Sequence, residues 1–395
     1  MKILYHHRTR ATDAQRVHIL EIVQAFRKLG HEAQIASIVE TEGEQDISRE
    51  VEEVGWKTLI RRIPFAYEAI QLGYNLIGIP LLLRKVLSWK PDFIYERYSL
   101  FNFTGVVVAR LTGRPLILEV NSPFALEQKT DREIRAARLA LWTERQICSL
   151  ATKVIVVSGP LRRIMVEIGI HPDKLVLIPN GVNPEHMQPS GSAASLRRKL
   201  GLDGKVVAGF VGWFKQWHGL EFLLEAFHHS GLANQNAVLL LIGHGPAMPG
   251  LLEYVKTNSL EGAVVFTGAI PHAMVPQYLE LFDIAVQPAA NEYCCPMKIL
   301  EYFGLGKPLV GPRQENIQEL VREGVDALLY PPGDEAALIA ALRSLALDPQ
   351  KRLAMSRNAA AAIEERGYLW TRNAERVVAL ARPSAPRTAN GGASR

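Results

Sequence analysis

The stretch NEYCCPMKILEYFGLGKP at residues 291–308 decides how this chain is read. Pro296 has the fixed backbone angle suited to a first helical turn, and the helix then runs from Met297 to about Leu305. Just upstream, IAVQPA at residues 284–289 has the apolar core of a buried strand. A helix that starts directly after a strand offers free amides and the positive end of its dipole to an anion. Lys298 in its first turn adds a full positive charge, which suits a diphosphate. Glu301 lies three residues on, along the same face. A carboxylate there can accept hydrogen bonds from both hydroxyls of a ribose. The same spacing also fits an amphipathic helix whose Lys298 and Glu301 form an ordinary exposed ion pair.

Outward from this stretch, apolar strand cores alternate with helix-length segments in both directions. The first half carries them at residues 2–5, 31–38, 91–98, 114–121, 153–158 and 175–182. The second half repeats the pattern at residues 206–214, 237–245, 263–270, 284–289, 307–312 and 327–333. Continuous apolar strands separated by helices imply parallel sheets covered on both faces, so the expected fold class is α/β with two doubly wound, Rossmann-like domains. The composition shifts to PSGSAASLRRKLGL near residues 189–202, a linker signal. The expected organisation is a first domain at 1–188, a second at 189–366, a C-terminal helix at 367–382 and a disordered tail at 383–395. In open α/β sheets ligands bind at the carboxyl ends of strands, which places the site in a cleft between the domains.

Composition agrees with this frame and excludes others. With 395 residues, about 150 per domain predicts two or three domains with real cores. Hydrophobic residues at 48% and charged residues at 22% are globular values, incompatible with a disordered chain or a coiled coil. The net charge of 45 − 40 = +5 permits a basic patch without demanding one. Basic residues are scattered and no recognition motif appears, so no nucleic-acid partner is expected. Cys148, Cys294 and Cys295 form neither a disulfide framework nor a metal-ligand spacing. They suggest a reducing compartment, and MKILYHHRTR lacks the apolar core of a signal peptide, so the expected location is cytoplasmic.

Several loops join the candidate site. GFVGWFKQWHGLEFLLEAF at residues 209–227 runs from strand through Gly212 and an aromatic turn to Gly219 and a helix, with Lys215 and His218 as its available cations. Trp213, Phe214 and Trp217 could equally plug that loop onto its domain. Gly243 and Gly245 flank His244 in a turn where a backbone can approach a ligand, and Ile270 closes a turn that could flank a flat base. In the first half, Glu119 to Pro123 ends a buried strand in polar groups, Asn121 among them, and Glu127 follows in the next turn. Residues 56–90 carry Lys57, Arg61, Arg62, Arg84, Lys85 and Lys90 against the single acid Glu68. The uncharged run at 69–83 contains Pro80 and is too short and broken for a bilayer span. Basic flanks beside apolar positions would suit an anionic membrane surface, while a core helix pair with snorkelling side chains explains them as well.

Taken together, LGHEA (29–33), VIVVSGPL (154–161), IPNGVN (178–183), FVGWFKQWHGLEFLLEAF, LLIGHGP, VVFTGAIPHAMVPQYLELFDIAVQP and KILEYFGLGKPLVG occur in an order that resembles glycosyltransferase family 4, retaining enzymes of the GT-B fold. The resemblance implies a nucleotide-diphosphate sugar held mainly by the second domain and a glycan, lipid-linked or small-molecule acceptor approaching from the first. It implies no cofactor or metal and a last helix that returns to the first domain, while the 56–90 segment fits a lipid-linked or polysaccharide acceptor at the inner face of a membrane. Glu301 then matches the ribose-binding glutamate, with Met297 and Lys298 in the diphosphate and sugar loop. The family places another glutamate eight residues earlier, where this chain has Tyr293, with Glu292 one residue upstream as its substitute if the loop shifts. Trp213 and His218 stand where an arginine and a lysine often grip the diphosphate, which passes that charge to Lys215 and Lys298. Asn121 stands where many relatives end a strand in histidine, and it cannot transfer a proton. The candidate catalytic residues are therefore Glu292, Asn121 and Lys215. Those for donor binding are Glu301, Lys298, Met297, Lys215, Gly212, Gly243, Gly245 and Ile270. A non-catalytic nucleotide-sugar binder and a GT-B epimerase are the rival readings.

Overall fold

The computed structural model describes residues 1–8, 14–37, 65–130, 134–188 and 193–382. The tail from 383, the start of the linker at 189–192, and Trp56, Lys57, Arg61 and Arg62 lie outside the described residues. The first sheet comprises β1 (Lys2–His6), β2 (Glu32–Ala36), β3 (Phe93–Arg97), β4 (Leu116–Val120), β5 (Lys153–Val156) and β6 (Leu175–Leu177) in the order β2-β1-β3-β4-β5-β6. The second comprises β7 (Val206–Val211), β8 (Ala237–Ile242), β9 (Val264–Gly268), β10 (Ile284–Val286), β11 (Leu309–Pro312) and β12 (Ala327–Tyr330) in the order β12-β11-β10-β7-β8-β9. Every pairing between these strands is parallel. All residues of β3, β4 and β8 are buried, as expected of strands covered on both faces.

The covering helices of the first half are α1 (Ala14–Lys28), α2 (Ala66–Trp89), α3 (Thr104–Thr112), α4 (Phe124–Thr130), α5 (Ala137–Leu150) and α6 (Gly159–Ile168). Those of the second are α7 (Ala193–Lys199), α8 (Leu220–His229), α9 (Met248–Thr257), α10 (Val275–Leu279), α11 (Met297–Gly304), α12 (Glu315–Gln318), α13 (Glu335–Ala346), α14 (Pro349–Glu365) and α15 (Trp370–Ala381). Pro80 does not break α2, contrary to the reading of its sequence. The proline is exposed, and so is Leu76 one turn before it, so the carbonyl left without a donor can be solvated. Strand β6 is shorter than its apolar run because the following IPNGV leaves the sheet, where Val182 bridges Leu369.

Strand order reverses between β1 and β3 in one sheet and between β7 and β10 in the other. A crevice opens at the carboxyl ends beside each such reversal, and this is where open α/β sheets take ligands. Contacts across the two halves join these ends. Ser158 Oγ donates to the Tyr293 carbonyl at 2.7 Å, Asn180 Nδ2 to the Cys295 carbonyl at 2.8 Å, and Arg163 pairs with Glu315. The last helix, α15, crosses back to the first domain. Its Trp370, Ala374 and Val377 pack with Ile3, Tyr5, Ile19 and Ile22, and its Asn373 Nδ2 donates to the Pro179 carbonyl at 2.8 Å. The Trp370 ring stands edge-on to His18 with centroids 4.6 Å apart. Trp370→Ala should leave a cavity between α1 and α15 and cost about 3–5 kcal/mol, read as a lower midpoint in urea unfolding.

Candidate active site

Helix α11 faces two ways. Ile299, Leu300, Tyr302 and Phe303 are buried, while Lys298 and Glu301 are half-buried along the cleft side. The anchor is Tyr302, whose hydroxyl oxygen accepts from the Val211 amide at 3.1 Å and ties the helix to the end of β7. Pro296 is the cap residue, one position earlier than the first turn expected of it. The anchoring puts the Lys298 ammonium 4.2 Å from the centroid of the Phe210 ring and 3.2 Å from His218 Nε2. Burial lowers Lys298 to about 8. Among the described residues no carboxylate lies within ion-pair range of it, so the exposed ion pair with Glu301 does not form. Glu301 in turn has no hydrogen-bond donor among the described residues, and burial raises it to about 7 against the opposing pull of Lys298. A cation without an anion and an acceptor without donors, one helical turn apart, are what a diphosphate joined to a diol would complete.

His218 is not the cation expected of it. Burial, reinforced by the Lys298 charge, lowers it to about 3, so the ring is neutral and its Nε2 accepts from the ammonium. Lys215 is exposed, with its Nζ 5.9 Å from the Trp217 ring. The aromatic turn divides in two: Phe214 is wholly buried, whereas Trp213 and Trp217 remain 47% and 43% exposed and do not plug the loop. The turn needs its glycines. Gly212 has φ +146°, and a Cβ there would lie 3.1 Å from Lys298 Nζ; a Cβ on Gly243, at φ +130°, would lie 2.0 Å from the Gly212 carbonyl oxygen. Gly245 follows against the Phe214 backbone, and Ile270 is half-buried just beyond β9.

The facing wall comes from the first domain. Met297 packs against that domain's core, and Glu292 is exposed in the loop before it. Tyr293 reaches across, its hydroxyl donating to Glu127 on α4. Asn121 Nδ2 donates to Glu119, which also accepts from the Tyr95 hydroxyl at 2.5 Å and from Arg97 Nη1 at 3.0 Å, with His18 Nε2 3.2 Å away. Burial works to raise Glu119, yet Arg97 and the hydrogen bonds from Tyr95 and Asn121 hold it below the usual carboxylate range. His18 is lowered to about 4 by burial and is neutral. Sequence reasoning saw polar groups at the end of β4 but missed this network, whose members come from β3, β4 and α1. An alternation of buried strand residues broken by Tyr95, Arg97 and Glu119 was the available signal. A test of the Lys298 site follows from its titration. Pyrophosphate affinity, measured by calorimetry, should fall as pH rises through about 8 and the ammonium is lost. Lys298→Met should bind at least tenfold more weakly and retain only the pH dependence of the ligand itself.

Two family models cover most of the chain, Glycosyltransferase Family 4 over residues 15–186 and Glycosyl transferases group 1 over residues 205–348. A 2-deoxystreptamine N-acetyl-D-glucosaminyltransferase of Streptomyces fradiae is 25% identical, covering 95% of this chain and 92% of the relative. A UDP-Gal:alpha-D-GlcNAc-diphosphoundecaprenol alpha-1,3-galactosyltransferase of Escherichia coli is 26% identical, over 68% of this chain and 69% of the relative. Among solved structures, Anabaena HepE in complex with UDP superposes with a TM-score of 0.73 at 19% identity, covering 96% of this chain and 99% of that one. The fold match adds a GT-B architecture to the two parallel sheets described above. The epimerase and the inactive binder find no support in these matches, and the chain belongs to the group 1, family 4 glycosyltransferases, enzymes that transfer a sugar.

Proposed function

We propose that the chain moves a sugar, with retention, from a nucleotide-diphosphate donor held by residues 189–366 to an acceptor hydroxyl presented by residues 1–188. The supporting observation is the unpaired Lys298 ammonium beside the unpaired Glu301 carboxylate at the start of α11. The diphosphate meets Lys298 and the free amides of Met297 and Lys298, the ribose meets Glu301, and Gly212, Gly243, Gly245 and Ile270 shape the backbone around phosphate and base. Lys215 adds charge at the mouth of this site, while Asn121 and Glu292 face the transferred sugar.

In the transfer, the bond between the anomeric carbon and the phosphate oxygen breaks, and its electron pair goes to that oxygen. The acceptor hydroxyl bonds to the anomeric carbon from the same face and passes its proton to the leaving phosphate. Negative charge thus grows where Lys298 and the α11 amides already point. Asn121, tied to Glu119, serves position rather than proton transfer. Relatives that glycosylate 2-deoxystreptamine and a diphosphoundecaprenol-linked sugar support an acceptor among small molecules or lipid-linked glycans.

The donor reading is tested by thermal shift against UDP-, GDP-, ADP- and CMP-sugars. One nucleotide should raise the melting temperature of the native protein, and Glu301→Ala should erase that shift and cut kcat/KM about 100-fold, or ~2.7 kcal/mol. Ionised Glu301 is the better acceptor, so donor affinity should rise with pH through about 7. No shift with any donor, or an unaffected variant, would sink the reading.

A membrane role has its own support. On α2, Leu76, Ile77, Leu81 and Leu87 are exposed beside Arg84 and Lys90, whereas the acid Glu68 is buried and accepts from the Arg135 and Ala136 amides. No helix among the described residues is long and apolar enough to cross a membrane. An anionic bilayer at the inner face of a membrane matches this surface, with each basic residue contributing about 1 kcal/mol. The protein should float with phosphatidylglycerol-containing vesicles, and Arg84→Glu with Lys90→Glu should release it; absence from the lipid fraction in every condition refutes the role.

A further inference from the structure

The loop from β10 to α11 is held from both domains. Asn316 Nδ2 donates to the carbonyls of Asn291 at 3.0 Å and Cys294 at 2.8 Å, and Ser158 Oγ holds the Tyr293 carbonyl at 2.7 Å. With its backbone so fixed, Tyr293 sends its side chain across the cleft and donates its proton to Glu127 Oε1. Asn291 Nδ2 donates to the same hydroxyl oxygen at 3.2 Å. Glu127 is half-buried, forms no ion pair among the described residues, and its second oxygen accepts no hydrogen bond from them. Tyr293 lies four residues before Met297, so its partner Glu127 stands over the loop that leads into the start of α11.

We propose that Glu127, contributed by the first domain, is the residue that selects the donor sugar. This rests on the donor assignment above. With the ribose at Glu301 and the diphosphate at Lys298, the sugar extends from the far phosphate past the start of α11, toward residues 291–293. There it meets the free oxygen of Glu127 and the hydroxyl oxygen of Tyr293. A carboxylate with an unfilled acceptor site discriminates between sugars that direct a hydroxyl at it and epimers that do not, because the wrong epimer leaves the charge unpaired. Tyr293 orients that carboxylate, and Asn291 orients Tyr293. Since the selecting group sits on the opposite domain from the nucleotide site, the sugar is read only where both domains meet it.

The experiment compares native protein with Glu127→Gln, in which the amide oxygen can still accept from Tyr293 and keep the two domains linked. The readouts are the affinity for the nucleoside diphosphate alone and kcat/KM for two epimeric donors of that base, such as UDP-glucose and UDP-galactose. The expected result is nucleoside diphosphate affinity within twofold of native, with at least a tenfold loss of kcat/KM for the preferred epimer and a collapse of the epimer ratio. An unchanged epimer ratio overturns the proposal, as does an equal loss of nucleoside diphosphate affinity, which marks Glu127 as a structural link between domains. Native protein that binds no nucleoside diphosphate or nucleotide sugar defeats the donor assignment itself, and the proposal with it.

Discussion

An ammonium group held over an aromatic ring, beside a neutral imidazole and away from any described carboxylate, is the constraint around which the second domain is arranged. Leaving Lys298 unpaired at half burial is costly, and the structure bears that cost because Tyr302 fixes α11 to the end of β7. The neutrality of His218 belongs to the same arrangement. A protonated ring 3.2 Å from the ammonium would repel it, and burial prevents that. The glycines at 212 and 243 let two loops approach the cation and each other more closely than a Cβ at either position would allow.

The first domain solves the opposite problem. Its polar residues at the ends of β3 and β4 converge on one buried acceptor: Glu119 is bonded by Tyr95, Arg97 and Asn121, and His18 Nε2 lies 3.2 Å from it. Several hydrogen bonds that converge on one buried carboxylate hold these side chains in one geometry. One wall of the cleft therefore carries a cation with no carboxylate beside it among the described residues, and the other a carboxylate with several donors. The crossing contacts at Ser158, Asn180 and Tyr293, and the return of α15, set the distance between the walls.

Much of this was legible in the residues. Continuous apolar runs between helix-length segments, with glycine and proline punctuation, located both sets of strands and the helix that starts at Met297. The placement of Lys298 and Glu301 on one face followed from their spacing of three. The state of His218 was not legible, because a histidine in a loop reads as exposed until Phe210 and Lys298 are seen around it. Nor was the split among the loop aromatics, since Phe214 and Trp213 are neighbours with opposite burial. Pro80 misled for a related reason: whether a helix survives a proline depends on whether the freed carbonyl faces water.

The sequence by itself determined which segments are strands and helices, that two parallel sheets follow one another, and that a helix carrying Lys298 and Glu301 follows β10. Those outcomes rest on local periodicity and backbone preference, which a single segment carries. Tertiary structure decided protonation and pairing. Lys298 was lowered and His218 lost its expected charge because desolvation depends on everything packed around a group. It also decided that Tyr293 and Glu127, 166 residues apart, meet across the cleft. No periodicity encodes that contact, since it arises only when two separately folded sheets are brought face to face.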